Sequence, residues 1–565
     1  MKKTKISDYI WLLIVVGAVV GAAILRIGMM MRTPIYALAN YKHDDLLLVT
    51  LAQHLQEGEW LGPYNNLTLV KGISFPVFLA LCNRFCIPYL FGMGLFYTGA
   101  VILFVTAVRE QISNRWVQLG IYLFLLYSPA MLSVDAQQRV YNCALVPGAI
   151  LLVFAGVLGV FFRRHRSWKT VLVWSCFLGF VFPFFWHLRN DTMWMLPFVL
   201  TGTGISIFCI IKKNGFHKGT AVKSLICLIP VLTLVFSNLM IAGINQKHYG
   251  LFVVNDRSGS SEAEFISRLM EMDEKSENPN VWVSQNAMKK AVEVSPALQE
   301  IQPQIEEMFQ SGWASGGEIV GDIVVWAFRD AMEAAGYYQG NASETDAFYK
   351  RATAELDQAY EDGRLHKDGL LHLSALSKGI SWKDVPTLVK RIKSSFLAAV
   401  NARYAEVQLK KASGNRDQIR YFEAMTGANA LYPDGKTVDS EYYQTLRVAG
   451  ISQKIIHIYQ AVGWALFLLS AIVFGFFAYR MIGEIRKKQY EIWNLWLIVS
   501  GILLTVLIFW FIVNWFTTFL GSDLRQYDHY LLPSVLLLET AEVLLLGKAA
   551  VMAQDWLTKR KNERK

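Results

Sequence analysis

Ten apolar runs of about 20 residues each constrain this chain more than any other feature of its sequence. A run of that length crosses the hydrocarbon core of a bilayer as a helix. The runs cover residues 9–29, 89–108, 116–133, 143–162, 170–186, 192–211, 223–243, 457–479, 494–517 and 530–549. Charged residues make up 18% of the 565 and hydrophobic residues 53%, whereas soluble domains carry about 25% charged residues. The pattern excludes a soluble enzyme and predicts an all-α polytopic membrane protein with about ten transmembrane helices.

Clusters of Lys and Arg predict the orientation of the chain, because short basic loops stay in the cytoplasm. Such clusters follow the fourth, sixth and eighth runs and close the chain: Arg163, Arg164, Arg166 and Lys169; Lys212, Lys213 and Lys218; Arg480, Arg486, Lys487 and Lys488; and Lys559, Arg560, Lys561, Arg564 and Lys565. With ten spans, all of them lie on the side of the N-terminus. We therefore expect a multi-pass cell-membrane protein with both termini cytoplasmic. Topology then explains the net charge of +10 without nucleic acid as a partner.

The balance of charge divides the chain into three regions. Lys and Arg number 20 against 8 Asp and Glu in residues 1–243, 24 against 29 in residues 244–455, and 11 against 8 in residues 456–565. The middle region contains none of the six cysteines, so it cannot rely on disulfides. We predict an N-terminal membrane domain (1–243) with a catalytic first exterior loop (30–88), and a mainly α-helical extracytoplasmic domain (244–455). C-terminal membrane helices and a basic cytoplasmic tail follow (456–565).

Four predicted exterior loops carry ionisable and tyrosine side chains close to the membrane, where charges are costly and often functional. They are Asp44, Asp45, Tyr64 and Lys71 in the first loop, Arg139 and Tyr141 in the second, Arg189 and Asp191 in the third, and Arg525 and His529 in the last. The cations could bind a phosphate group, for which Arg offers a matching fork and Lys a point charge. The alternative is contact with lipid head groups.

Adjacent carboxylates at Asp44 and Asp45 repel each other, so a cation, a hydroxyl donor or a raised pKa should accompany them. One of them could take a proton from an attacking hydroxyl while the other binds a cation or orients the acceptor. The pair could also hold Mg²⁺ or Mn²⁺, although two acids alone do not establish a metal site. The structural alternative is an N-cap followed by a first-turn acid of a helix over Leu46–Leu55.

The first exterior loop also contains two longer motifs. Asp44-Asp45-Leu46 is followed by Trp60-Leu61-Gly62 and Tyr64-Asn65, and Lys71-Gly72-Ile73-Ser74-Phe75-Pro76 is followed by Phe78-Leu79-Ala80. These motifs resemble the first exterior loop of GT-C glycosyltransferases, where the second motif is close to K-G-P-G-Y-P-x-F-L-A. GT-C enzymes are integral membrane proteins that transfer sugars from polyprenyl-phosphate donors. Their relatives include protein O-mannosyltransferases and aminoarabinose transferases.

Two later stretches are similar to a bacterial branch of the same superfamily. Arg189-Asn190-Asp191, ahead of Trp194 and Pro197, departs from the branch's R-E-[ED] at Asn190. Tyr530-Leu531-Leu532-Pro533 resembles R-Y-L-x-P, with His529 in place of the Arg. If that Arg contacts the donor phosphate, Arg525 could substitute for it.

The resemblance implies a membrane glycosyltransferase that moves a sugar from a polyprenyl-phosphate donor to a cell-envelope glycan, lipid or protein. It implies Asp44 as the catalytic acid–base residue with Asp45 supporting it. The implied donor-phosphate ligands are Lys71, Arg139, Arg189, Arg525 and His529, and the supporting residues are Asp191, Tyr64 and Tyr141. No cofactor is certain; Mg²⁺ or Mn²⁺ would lie at the two acids. A transporter or flippase, or a ligase, of lipid-linked glycans is the alternative function.

Overall fold

The computed structural model describes residues 2–375, 377–434, 439–486, 491–520 and 528–563. Apart from isolated bridges, the regular structure in these ranges is helical. Arg525, one of the predicted phosphate ligands, lies outside the described residues.

The helices before the insert form most of the membrane bundle. They are α1 (Lys2–Met31), α2 (Asp45–Glu57), α3 (Ser74–Arg84), α4 (Tyr89–Val108), α5 (Arg115–Leu126), α6 (Pro129–Leu132), α7 (Val134–Gln137), α8 (Val146–Arg163), α9 (Trp168–Trp186), α10 (Leu196–Asn214), α11 (Lys218–Cys227) and α12 (Ile229–Tyr249). Short 3₁₀ helices over Asn142–Leu145 and Thr192–Met195 lead into α8 and α10.

The insert and the C-terminal region are helical as well. The insert contains α13 (Asp256–Gly259), α14 (Ser261–Met270), α15 (Gln285–Val294), α16 (Pro296–Glu300), α17 (Gln302–Met308), α18 (Ile323–Ala334), α19 (Ala342–Glu361), α20 (Val385–Val400) and α21 (Arg416–Thr426). After it come α22 (Asp439–Arg486), α23 (Glu491–Thr518), α24 (Asp528–Leu531) and α25 (Pro533–Glu563).

Eight helices in the described ranges are long and apolar enough to cross a membrane, so the chain is a helical membrane protein. These spans are Trp11–Met31, Tyr89–Val108, Asn142–Arg163, Trp168–Trp186, Thr192–Asn214, Ile229–Tyr249, Thr445–Glu484 and Ile492–Thr518. They match eight of the ten predicted runs.

The other two predicted spans, 116–133 and 530–549, differ for identifiable reasons. The first is divided between α5, which is 12 residues long, and the short helix α6, because Ser128 caps a new helix that starts at Pro129. The second lies in α25, where Glu539, Glu542 and Lys548 interrupt the apolar run.

Both elements nevertheless run from one end of the bundle to the other. At one end, Asn114 before α5 contacts Gln554 near the end of α25. At the other end, the Arg139 guanidinium, beyond α7, binds Asp45, and Tyr530 before α25 stacks on Arg189. The chain thus passes from one end of the bundle to the other along 115–137 and again along α25.

Helix α2 joins the bundle to the insert, because its two faces belong to different hydrophobic cores. Leu48, Val49 and Ala52 pack in the core of the bundle. Leu47 and Leu51 pack in the core of the insert. The N-terminus of α2, which carries the two acids, therefore lies where the bundle and the insert meet.

A buried arginine fastens the rest of the first exterior loop to the insert. Arg329 on α18 is 1% exposed, and it donates to the carbonyl oxygens of Asn66 (2.6 Å) and Thr68 (3.1 Å). The same guanidinium pairs with Glu262, and its Nη1 lies 3.6 Å from Asp256 Oδ2. One cation thus faces two buried acids. Burial raises the pKa of Asp256 to about 7, since Arg329 only partly offsets the burial and the repulsion from Glu262.

We predict that Asp256 makes the protein less stable as the pH rises. A carboxyl whose pKa is higher in the folded protein than in the unfolded chain stabilises at low pH, and that stabilisation is lost as the pH rises through the folded value. Asp256→Asn should therefore flatten the fall in melting temperature between about pH 4, where an Asp of the unfolded chain titrates, and about pH 7, where Asp256 titrates in the folded protein. Thermal unfolding in nanodiscs measures this, with Asp362→Asn on the exposed surface as the control. An unchanged pH profile would contradict the prediction.

Candidate functional site

Asp44 precedes the first residue of α2 but does not cap the helix with its side chain. Its Oδ1 instead accepts hydrogen bonds from Lys71 Nζ at 2.6 Å and from the Tyr141 hydroxyl at 3.0 Å. The helix expected over Leu46–Leu55 is present as α2, but the Asp44 side chain does not cap it. The Asp44 side chain is 42% exposed, and its Oδ2 has no hydrogen-bond partner among the described residues.

The surroundings keep Asp44 ionised. Burial would raise the pKa of Asp44, but the charge and hydrogen bond of Lys71 outweigh it, with help from Arg139 and the Tyr141 hydroxyl. The pKa of this carboxyl is therefore held well below its ordinary range. Burial raises the pKa of Tyr141, so its hydroxyl keeps the proton that it donates.

Asp45 is occupied by a salt bridge of its own. Its oxygens accept hydrogen bonds from Arg139 Nε (2.9 Å) and Nη2 (2.7 Å), and the carboxylate is completely buried. Burial raises the pKa of Asp45 although Arg139 opposes it, whereas Asp45, against the effect of burial, raises the pKa of Arg139 well above its ordinary value. Both oxygens of Asp45 accept from the guanidinium, a geometry in which the carboxyl carries no proton, so the pair is ionised. Arg139 also stacks on the Tyr141 ring at 4.2 Å. Asp45 and Arg139 therefore bind each other and position Tyr141.

Lys71 is held in place by the third loop. The backbone N–H of Ser74 donates to the carbonyl oxygen of His187 (3.1 Å), and the Asn190 amide donates to the carbonyl oxygen of Val70 (3.1 Å). Gly72 lies so close to His187 that a Cβ there would overlap the His187 carbonyl oxygen. Asn190, the residue that departs from the family pattern, thus anchors the Lys71 loop.

Arg189 and Asp191 form a bidentate pair, with both N···O distances at 2.8 Å. The Arg189 guanidinium lies 4.6 Å from the centre of the Tyr530 ring. Burial would lower the pKa of Arg189, but Asp191 and Tyr530 raise it, so the guanidinium stays charged. The last exterior segment thereby joins the other three loops.

A cavity of about 650 Å³ opens beside these residues. Its polar wall contains the cations Lys71, Arg189 and Arg257 and the acids Asp191 and Asp322, which pair with the two arginines. Its apolar wall is formed by side chains of α23: Leu507, Ile508, Phe511, Ile512, Trp515 and Phe516. One end of the cavity therefore suits an anion and the other suits a hydrocarbon chain.

Seven of the described lining residues come from the insert, and its two charged ones, Arg257 and Asp322, are not among the site residues predicted from the sequence. Arg257 is 7% exposed, lies 5.1 Å from the Trp326 ring centre, and donates from Nη2 to Asp322 at 3.4 Å. Its Nη1 is buried without a hydrogen-bond partner among the described residues. Lys71 lies over the same Trp326 ring at 5.4 Å. The signal that identified the other loops is a charged residue close beyond an apolar run. Arg257, which follows the run 223–243, carries the same signal.

A second cavity of about 440 Å³ lies across the Lys71 loop. Lys71, Gly72, Arg189 and Asn190 line both cavities. The second is otherwise lined by polar and apolar side chains of α12 and of the start of the insert, among them Asn238, Asn255, Ser258 and Phe252. The cationic wall therefore separates two chambers.

Not every predicted site residue joins this group. Tyr64, expected from the resemblance to support the site, lies apart from this group. Its aromatic ring packs in the apolar core of the insert, stacked on Tyr338 with ring centres 5.5 Å apart. His529 lies beside Tyr530, with ring centres 4.1 Å apart. Asp44 and Asp45 each face a separate cation, so their oxygens do not converge on one metal position.

No family model, curated protein or solved structure matches this chain. The resemblance to GT-C enzymes therefore depends on the motifs of the exterior loops alone.

We predict that Gly72→Ala separates Lys71 from Asp44. The added methyl group must displace the His187 backbone, and overpacking of this kind costs about 1–3 kcal/mol. Thermal unfolding should show a clear drop for this variant. Gly99→Ala, inside α4 and with no atom within 4 Å of the new Cβ, is the control and should not lower the melting temperature, since Ala favours a helix more than Gly does. Equal stability of the two variants would contradict the close packing at Gly72.

Proposed function

We propose that the protein is a GT-C-like membrane glycosyltransferase that takes a sugar from a polyprenyl-phosphate donor. The observation that carries the proposal is the cavity in which three cations face an apolar wall, next to the exposed carboxylate of Asp44. A lipid phosphate has both of the chemistries that such a cavity accommodates. The ten-span topology with cytoplasmic termini is part of this proposal.

Lys71, Arg189 and Arg257 are the donor-phosphate ligands in this proposal. Buried guanidinium groups bind phosphate oxygens strongly, and the partnerless Nη1 of Arg257 gains a partner when an anion enters. Arg139 is not among them, because it is not one of the residues that line the cavity, whereas Arg189 lines it while paired with Asp191. The polyprenyl chain, still bonded to the phosphate, extends along Phe511 and the other apolar residues of α23 that line the cavity.

The acceptor, a hydroxyl of a cell-envelope glycan, lipid or protein, approaches from the second cavity. Its oxygen bonds to the anomeric carbon, and the bond from that carbon to the phosphate oxygen breaks, leaving its electron pair on the lipid phosphate. Asp44 accepts the hydroxyl proton. Its low pKa suits a reaction in which the proton is lost late, after the oxygen has begun to bond. The three cations stabilise the charge that develops on the phosphate.

We predict that Asp44→Asn lowers the turnover number by about 100-fold or more, because a positioned base contributes at least that factor. The measurement is transfer of a radiolabelled sugar from its polyprenyl phosphate in proteoliposomes. Glu59→Gln, an exposed acid at the other end of α2, is the control and should keep full activity. Full transfer by a folded Asp44→Asn variant would overturn the assignment.

We predict that Arg257→Gln raises the KM for the donor by roughly 10-fold or more, since a hydrogen bond to a charged group is worth about 1.5–3 kcal/mol. Arg351→Gln is the matched control, because that guanidinium is half exposed on α19. Donor saturation curves in proteoliposomes measure the effect. An unchanged KM would remove Arg257 from the phosphate site.

A second candidate, a transporter or flippase of lipid-linked glycans, is favoured by one observation. Arg26, Glu539 and Glu542 lie buried among the helices of the bundle, where ionisable groups often mark a transport path. The two functions differ in whether a covalent product forms. Passage of a fluorescent lipid-linked sugar across liposomes, undiminished by Asp44→Asn and without transfer to any acceptor, would favour transport.

A further inference from the structure

The insert exposes large apolar side chains between Leu371 and Leu397. The exposed fraction is 90% for Trp382, 61% for Leu373, 59% for Val389, 55% for Leu371 and 40% for Leu397. Exposed apolar side chains of this size, collected within one short stretch of chain, indicate a contact with another apolar phase.

Helix α20 is packed onto the membrane spans themselves. The Asn514 amide donates to the Ser395 hydroxyl at 2.9 Å, and the Phe396 ring lies 5.9 Å from the Trp510 ring and 5.2 Å from the Phe467 ring. Asn514 and Trp510 belong to the span Ile492–Thr518. They lie about 6 and 12 Å from its end at a helical rise of about 1.5 Å per residue. Helix α20 therefore lies at the depth of the upper part of that span.

The end of α20 approaches the other C-terminal span just as closely. A Cβ on Gly463 of α22 would overlap the carbonyl oxygen of Val400. Leu397 lies on the side of α20 that is turned away from Ser395. Val389, two turns before Phe396, lies at the edge of the contacting face. Both side chains are exposed beside the lipid-facing surface of the two spans. Exposed Leu468 on α22 and Leu504 on α23 belong to that surface.

The loop before α20 is fixed at the same level. The Trp515 indole donates to the carbonyl oxygen of Lys378 at 2.9 Å, and Leu371 pairs with Ile380 through backbone N···O distances of 3.0 and 3.1 Å. Leu373 lines the large cavity, as does Ile392 of α20. The segment thus lies between the cavity and the space around the bundle.

The charge of the segment is opposite to that of the insert as a whole. Lys383, Lys390 and Lys393 are exposed beside the apolar residues, although acids outnumber bases by 29 to 24 in residues 244–455. Asp384, within the same segment, accepts hydrogen bonds from Ser381 at 2.7 and 2.8 Å. Lysines that flank exposed Trp and Leu are typical of a helix lying in the interface of an anionic membrane.

We propose that residues 371–375 and 377–397 are seated in the lipid leaflet at the insert end of the bundle. Trp382, Leu371, Leu373 and Val389 contact lipid chains, and Lys383, Lys390 and Lys393 bind anionic phospholipid head groups. This contact is independent of any sugar transfer. It makes the bilayer a side wall of the large cavity.

Photo-crosslinking tests the apolar contact. Trp382 is replaced by p-benzoylphenylalanine, and the protein is illuminated in nanodiscs of phosphatidylethanolamine and alkyne-labelled phosphatidylglycerol. Lys350 on α19, replaced in the same way, is the control, because its side chain is exposed on a helix packed against α14, α15 and α16. We expect a lipid adduct at 382 and none at 350. Protein–protein adducts at 382, or equal lipid labelling at both positions, would overturn the proposal.

Head-group selectivity tests the lysines. The triple variant Lys383→Gln, Lys390→Gln and Lys393→Gln should lose the preference of the 382 crosslink for phosphatidylglycerol over phosphatidylcholine, by about fivefold for each lysine. Lys289→Gln, Lys290→Gln and Lys350→Gln together form the control, with the same change of charge elsewhere on the insert. The control should keep the preference. Loss of the preference in both variants, or in neither, would overturn the head-group assignment.

Discussion

The site depends on how two neighbouring carboxylates at one helix start remain ionised together. Asp44 and Asp45 repel each other, and each is stabilised by a separate cation, Lys71 and Arg139 respectively. These cations come from different parts of the chain, so the two salt bridges also tie the start of α2 to the loop after it and to the segment before α8. Tyr141, between Asp44 and Arg139, completes the connection. Removing either cation would leave a carboxylate without compensation and would loosen the loops that line the cavity.

The sequence was sufficient for the membrane class and for the general place of the site. Apolar runs identify spans directly, and charge close to a span is rare enough to be informative. The loops of Asp44, Arg139 and Arg189 do converge, as their shared side of the membrane suggested. The run 116–133 was predicted as one span, although Ser128-Pro129, at which the structure divides it, is the pattern of a helix start.

Which cations line the cavity and which form salt bridges away from it could not be predicted from the sequence. Arg139 and Arg189 have the same chemistry, and only the fold shows that one faces Asp45 while the other lines the cavity. Tyr64 was expected beside the charged loops but packs in the insert core. The sequence around a tyrosine does not distinguish a ring that contacts a ligand from a ring that packs in a core. Arg257 and Trp326 reach the site through the packing of the insert, a contact between segments far apart in the chain.

The two-sided burial of α2 has a consequence for biosynthesis. Residues 30–88 leave the ribosome before the insert is made, yet Leu47 and Leu51 find their partners in the insert, and the carbonyl groups of Asn66 and Thr68 are bound by Arg329. Until about 250 further residues have been translated and folded, half of α2 is uncovered. The membrane helices that precede the insert can therefore enter the membrane early, whereas the candidate site is assembled late. A chain truncated within the insert would reach the membrane without a finished cavity.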